Sequence, residues 1–137
     1  MLLSIDEQTL YLIAASGLFF VSINTTDGSV LHSIDNTAFS FYGIDISDTY
    51  ILATGQTNTL ILDISTFTVL KTWPIEGMNA LIMPDGGFLI VAHDATSMGL
   101  LKFDISGTTL WKRDFNFVPD YSFMGPDSTK VAVSNTF

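Results

Sequence analysis

The 137-residue sequence predicts an all-β fold made of tandem four-stranded antiparallel units. Short apolar runs rich in branched and aromatic residues alternate with polar turn signals, which is the strand-and-turn pattern. These runs also recur at near-constant spacing, which marks a repeat architecture. Composition agrees: 47% of residues are hydrophobic and only 14% charged, and branched or aromatic side chains fill a pleated surface well. No helical period appears.

The most apolar stretch, LYLIAASGLFFVSI (10–23), lies in a segment without formal charge from Gln8 to Thr26, nearly long enough to span a bilayer. Ser16-Gly17 stands in its middle, where a turn would fall. The same plan returns in YILATGQTNTLILDI (50–64) and FLIVAHDATSMGLLKFDI (88–105), where the turn is frankly polar and Asp63, Lys102 and Asp104 enter the second strand. A lipid-spanning helix would not share its template with such segments. Two strands are expected, and no membrane span.

The period extends along the chain. Ile23, Ile64 and Ile105 lie 41 residues apart at each step, and Tyr11, Tyr50, Phe88 and Lys130 open equivalent strands at intervals of 39, 38 and 42. Before these openings stand the turn signals DEQT, SDT, PDGG and PDST, and before those the short strands LLSI, FYGIDI, NALIM and YSFM. After each Ile come a turn and a further strand: VLHSI, VLKTW and LWKRDF. Each unit therefore has four strands, A to D, and the chain runs ABCD three times and then AB. Tandem units of this kind are the mark of β-propeller blades. The expected architecture is a partial β-propeller: blade 1 at about 1–35, blade 2 at 36–75, blade 3 at 76–116 and a half blade at 117–137. Strands B and C, apolar on both faces, should be the most buried. Propellers have at least about four blades, so a fragment of a larger propeller or assembly is expected.

MPDGGFLIVA (83–92) and GPDSTKVAVS (125–134) resemble the A–B corner of many propellers, WD-repeat and lactonase-like ones included. GLLKFDISGTTLWKRDF (99–115) is similar to the repeat of quinoprotein-dehydrogenase-like propellers, and GLFFVSINTTDGSVLHSI (17–34) follows the same plan. Trp111 occurs in one blade only, and the Gly-His and Trp-Asp dipeptides of WD repeats are absent. The resemblance implies that D–A and B–C loops share a binding face. Those loops fall near 33–38, 73–79 and 113–120, and near 15–17, 55–58 and 93–98. Binding candidates on them are Asp35, Asn36, Glu76, Asn79, His93, Asp94 and Asp120, with Gln56, Asn58, Asp114 and Asn116 as further polar groups.

His93-Asp94 is the sharpest pair, since a His beside an Asp suits a general base or a metal ligand. A strand-end His and an Asx-type turn explain it as well. Asp63 and Asp104, with Ser22 at the matching place in blade 1, are read as acceptors for the N–H groups of the turn that follows. His32, Lys71 and Lys112 read as a solvated outer-strand position. Trp73, Pro74 and Met78, and Phe115, Phe117, Val118 and Pro119, read as packing between blades. Asn24-Thr25-Thr26 is a glycosylation sequon, in a C–D turn expected to be two residues longer than its counterparts.

The net charge of −9 with five Lys and Arg argues against nucleic acid. No cysteine is present, so thiolate chemistry and disulfides are excluded. The start MLLSIDEQT lacks the signal-peptide pattern; an extracellular or cell-surface location is preferred to a cytoplasmic one. No metal site or cofactor is expected, because no calcium loop, phosphate loop or Ser-His-Asp order occurs. The function expected is a non-catalytic scaffold presenting loops to a protein or glycan partner. The alternatives are a structural subunit completed by other chains or further blades, and part of a quinoprotein-like or lactonase-like enzyme.

Overall fold

A computed structural model describes residues 1–4, 6–14, 19–35, 40–93, 98–115, 121–124 and 131–134. Blade 1 contains β1 (Leu2–Leu3), β2 (Thr9–Ala14), β3 (Phe19–Asn24) and β4 (Val30–Asp35). Blade 2 contains β5 (Phe41–Ile46), β6 (Tyr50–Gly55), β7 (Thr59–Asp63) and β8 (Val69–Trp73). Blade 3 contains β9 (Gly77–Ile82), β10 (Phe88–His93), β11 (Met98–Phe103) and β12 (Thr109–Phe115), and β13 (Tyr121–Met124) pairs with β14 (Val131–Ser134). Every pairing is antiparallel between strands adjacent in sequence. The first strands stand side by side, β5 between β1 and β9, and β9 between β5 and β13. The chain is a partial β-propeller.

Side-chain alternation along each strand decides what packs where. Ile51, Ala53, Leu60 and Leu62 point back to join Tyr11 and Phe20 of blade 1. Their neighbours Leu52 and Ile61 point forward to Phe88, Ile90 and Phe103 of blade 3. Leu89 and Val91 continue forward into a third cluster with Leu100, Met78 and Phe115. In blade 1 the expectation for strands B and C holds on one face only. Tyr11, Phe20 and Ser22 are buried against blade 2, while Leu10, Leu12, Val21 and Ile23 on the other face are half-buried. Ser22 presents a buried hydroxyl without a partner among the described residues.

Two glycines inside first strands allow close approach. A Cβ at Gly43 would lie 2.8 Å from the Cα of Asn79, and one at Gly77 would lie 2.7 Å from Cγ2 of Thr54. Only glycine permits such backbone contact without displacing a neighbour.

The C–D turns repeat one geometry. The amides of Asn24, Asp63 and Asp104 donate to the carbonyls of Ser29, Thr68 and Thr108, and Gly28, Phe67 and Gly107 donate back to the carbonyls of Asn24, Asp63 and Asp104. Gly28, Phe67 and Gly107 all take positive φ, at 74°, 58° and 88°. The blade 1 turn thus matches that of blade 2 and exceeds that of blade 3 by one residue, rather than exceeding both by two. After each turn strand D carries the same bulge: the register shifts between Ser22 and Ile23, between Ile61 and Leu62, and between Lys102 and Phe103.

These turns join neighbouring blades. Phe67 stacks on Phe20 at 5.2 Å, on His32 at 4.9 Å and on Tyr11 at 6.2 Å between ring centres. One blade later, Lys71 donates to the carbonyl of Ser106, while Trp73 stacks on Phe103 and meets Phe88 edge-on, both at 5.5 Å. His32 and Lys71 are therefore half-buried joints between blades and not solvated positions. The third residue at this place is Trp111, not Lys112, because the C–D turn of blade 3 is one residue shorter and so sets Trp111 opposite Lys102. Packing accounts for Trp73, Met78 and Phe115; Phe117, Val118 and Pro119 lie outside the described residues.

A left-handed phenylalanine costs about 1–3 kcal/mol in backbone strain, which burial of its ring offsets. Phe67→Ala should destabilise the chain by about 3–5 kcal/mol in urea unfolding. Phe67→Gly should be about 1 kcal/mol more stable than Phe67→Ala, the reverse of the usual order in strands, because glycine accepts the positive φ. Gly107→Ala should also destabilise, since its Cβ would overlap the Trp73 indole. Equal stability of the two Phe67 variants would contradict this account of the turn.

Candidate functional site

The sheets have two ends. At the D–A and B–C end, Asp35 closes β4 opposite Phe19 and is exposed. Glu76 is half-buried in the connection from blade 2 to blade 3, and His93 closes β10 opposite Met98. Asn79 lies within β9 against Gly43, where its Oδ1 accepts the N–H of Ala80 at 2.9 Å. Asn36, Asp94 and Asp120 lie outside the described residues. Asp35, Glu76 and His93 thus share one end of the sheets but belong to different blades.

At the A–B and C–D end, a cleft of about 400 Å³ opens between blades 1 and 2. Its floor is Tyr11, Ile46 and Ile64, and its rim is Ser4, Asp6, Thr9, Ser47, Asp48 and Ser65. None of the residues expected from the sequence lines it. The rim is built by turn chemistry. Asp6 Oδ1 accepts from the Ser4 hydroxyl at 2.6 Å and from the Gln8 N–H at 3.1 Å, and Ser47 Oγ accepts from the Tyr50 N–H at 3.0 Å. The hydroxyl of Ser4 and the N–H of Gln8 hold the Asp6 carboxyl below the usual carboxylate range. Burial, assisted by the charge of Asp6, pushes the Tyr11 hydroxyl up, so it stays protonated at neutral pH and can donate. Asp48 is exposed, with no hydrogen bond to another described residue.

Asp63 and Asp104 act as turn acceptors. Asp63 Oδ1 takes the N–H and hydroxyl of both Ser65 and Thr66, and Asp104 Oδ1 takes the Ser106 hydroxyl and the Thr108 N–H. The hydroxyls of Ser65 and Ser106 are the chief cause of their lowered pKa values. The matching residue in blade 1 is Asn24 rather than Ser22: Asn24 Oδ1 accepts the Thr26 N–H at 2.8 Å. The sequon asparagine is therefore half-buried and engaged in its own turn.

Among the described residues, no three His, Asp or Glu side chains come together as a metal-binding group. No helix among them is long and apolar enough to cross a membrane.

No family model matches the sequence, and no curated protein matches it. Similarity appears in the fold. Hydrazine synthase of Kuenenia stuttgartiensis superposes with a TM-score of 0.82 at 13% identity, over 96% of this chain and 40% of that one. A functionally unknown protein from Desulfotomaculum acetoxidans gives 0.72 at 18% identity, over 98% and 47%. BamB from Moraxella catarrhalis gives 0.64 at 16% identity, over 81% and 34%. Hydrazine synthase and BamB are β-propeller proteins. The chain thus spans less than half the length of each of these solved chains.

Asp45 on β5 is a half-buried carboxylate, missed in the sequence because FYGIDI reads as an ordinary strand. Its Oδ2 accepts the Ile82 N–H of β9 at 2.7 Å and its Oδ1 the Ile46 N–H at 3.0 Å, so it bridges two first strands. Burial raises its pKa above the ordinary 3.8, although both N–H groups oppose the shift. The folded chain therefore holds this proton more tightly than the unfolded chain. The stability Asp45 contributes falls as pH rises from about 3.8 through the raised folded value. Asp45→Asn should cost about 1–3 kcal/mol, because one amide oxygen cannot accept both N–H groups. The gap between native chain and variant should narrow as pH rises from 4 to 7 in urea unfolding. A gap that widens would contradict the assignment.

Proposed function

We propose that the chain is a non-catalytic propeller scaffold, part of a larger ring, and that the cleft between blades 1 and 2 binds a hydroxyl-rich ligand of the glycan class. The cleft carries this reading. Sugar hydroxyls need acceptors and donors at fixed positions, while their C–H faces need apolar contact. Asp6, Asp48, Ser4, Ser47 and Ser65 stand around the apolar side chains of Tyr11, Ile46 and Ile64, which supports this reading. Asp6 and Ser47 are held in place by their own turns, and Phe67 packs the two blades together. The match to less than half of longer propeller chains supports membership of a larger ring. Titration of the folded chain with a panel of neutral oligosaccharides tests the proposal. Asp48→Asn and Asp6→Asn should each weaken binding by about ten-fold or more, as expected for losing a charged acceptor. Affinity unchanged in both variants, or no binding by any member of the panel, would overturn it.

A further inference from the structure

The A–B turns of blades 1, 2 and 3 each carry an aspartate: Asp6, Asp48 and Asp85. Asp6 and Asp85 are built alike. In each, Oδ1 accepts the N–H of the residue two further on, Gln8 at 3.1 Å and Gly87 at 3.0 Å. Oδ2 of Asp85 then takes the ammonium of Lys102, a residue of β11 in the same blade. The place of Lys102, opposite Leu89, is held by Ser22 in blade 1, opposite Tyr11, and by Ile61 in blade 2, opposite Leu52. Neither carries a charge. Oδ2 of Asp6 and both carboxylate oxygens of Asp48 have no partner among the described residues.

These two carboxylates stand on the rim of the one cleft between blades 1 and 2. Among the described residues that line it there is no Lys, Arg or His. The charge is uneven along the sequence as well: residues 1–70 contain seven Asp and Glu and no Lys or Arg. Three cations of blades 2 and 3 are engaged away from the cleft. Lys71 holds the Ser106 carbonyl, Lys102 holds Asp85, and Lys112 pairs with Asp114 at 3.0 Å. A cleft lined by charge of one sign attracts a ligand of the other and repels its own.

We propose that the ligand of this cleft carries a protonated amine: it is an amino sugar with its nitrogen free, whose ammonium pairs with Asp6 Oδ2 as the Lys102 ammonium pairs with Asp85. The inference rests on the glycan reading above and narrows it. An ammonium has three N–H donors and no acceptor, so it suits a carboxylate oxygen left open beside serine hydroxyls. Asp48, from the other blade, adds to the attraction. An N-acetyl group on the same sugar replaces the charge with a neutral amide and forfeits the pair. The C–H face of the ring rests on Tyr11, Ile46 and Ile64, as it does for a neutral sugar.

The probes are a glucosamine tetramer and its fully N-acetylated counterpart, which share a backbone and differ in charge. Calorimetric titration of the 137-residue chain at low salt should show the amine form binding at least about ten-fold more tightly, the order expected of a charged hydrogen bond. The preference should shrink as salt is raised, because both carboxylates are exposed. Asp6→Asn and Asp48→Asn should each lower the ratio of the two affinities by about three-fold or more. Asp27→Asn removes a charge from the same blade outside the cleft and keeps the oxygen that accepts the Ser29 N–H. It should leave the ratio within about two-fold. Equal affinity for the two tetramers would overturn the amine assignment and leave the glycan reading standing. So would a ratio lowered as much by Asp27→Asn as by Asp6→Asn, which marks general attraction to an acidic surface. Binding of neither tetramer would also overturn it, while a neutral oligosaccharide that still binds would spare the glycan reading and binding of no sugar at all would end both.

Discussion

The structure depends on the insertion of each blade's C–D turn against the outer strand and face of the blade before it. A four-stranded antiparallel sheet with apolar side chains on both faces cannot stand alone in water. Its neighbours must cover both sides, and the turn fixes how far apart they sit. At the first junction the position is held by a phenylalanine that takes positive φ in order to reach Tyr11, Phe20 and His32. At the second the roles are exchanged: the turn contributes glycine, and the preceding blade contributes the large ring of Trp73. One geometry thus accommodates two packing solutions, each with one bulky partner and one that yields space.

Polar groups follow from the same arrangement. The turns need acceptors for their own N–H groups, so Asp63, Asp104, Asp27 and Asn24 are committed locally and leave little free carboxylate at the C–D end. The first strands need separate polar links because glycines bring them so close together. Asp45 supplies such a link from β5 to β9; within blade 2 the Thr54 hydroxyl donates to the Gly43 carbonyl at 3.2 Å, and the Thr59 hydroxyl donates to the carbonyl of Ile75 in the connection to blade 3 at 3.0 Å. The cleft between blades 1 and 2 lies beyond these links, where the A–B turns diverge and leave Asp6 and Asp48 at its rim.

Much of the fold was legible because period and alternation are local signals. The spacing of Ile23, Ile64 and Ile105 and the turn signals before Tyr11, Tyr50 and Phe88 define the strands without knowledge of contacts. What crosses between blades was less legible. His32 looks solvated until Phe67 is placed on it, and Phe67 looks like a turn residue until its ring is followed into blade 1. The C–D turn of blade 3, one residue shorter than the other two, moved the equivalence from Lys112 to Trp111, since a one-residue offset reverses which side a side chain faces. The cleft was missed for a similar reason. Ser4, Asp6, Ser47 and Asp48 are ordinary turn residues in sequence, and they line a cavity only because two A–B turns from different blades are set side by side.

If junctions between blades rather than pairings within them hold the chain together, the blades unfold as one unit. Native-state hydrogen exchange across a series of low denaturant concentrations measures this directly. The account predicts that the most protected amides of β6, β7 and β10 share one opening free energy and one denaturant dependence, equal to those of global unfolding. Separate opening energies for blade 2 and blade 3, each with its own smaller denaturant dependence, would contradict it.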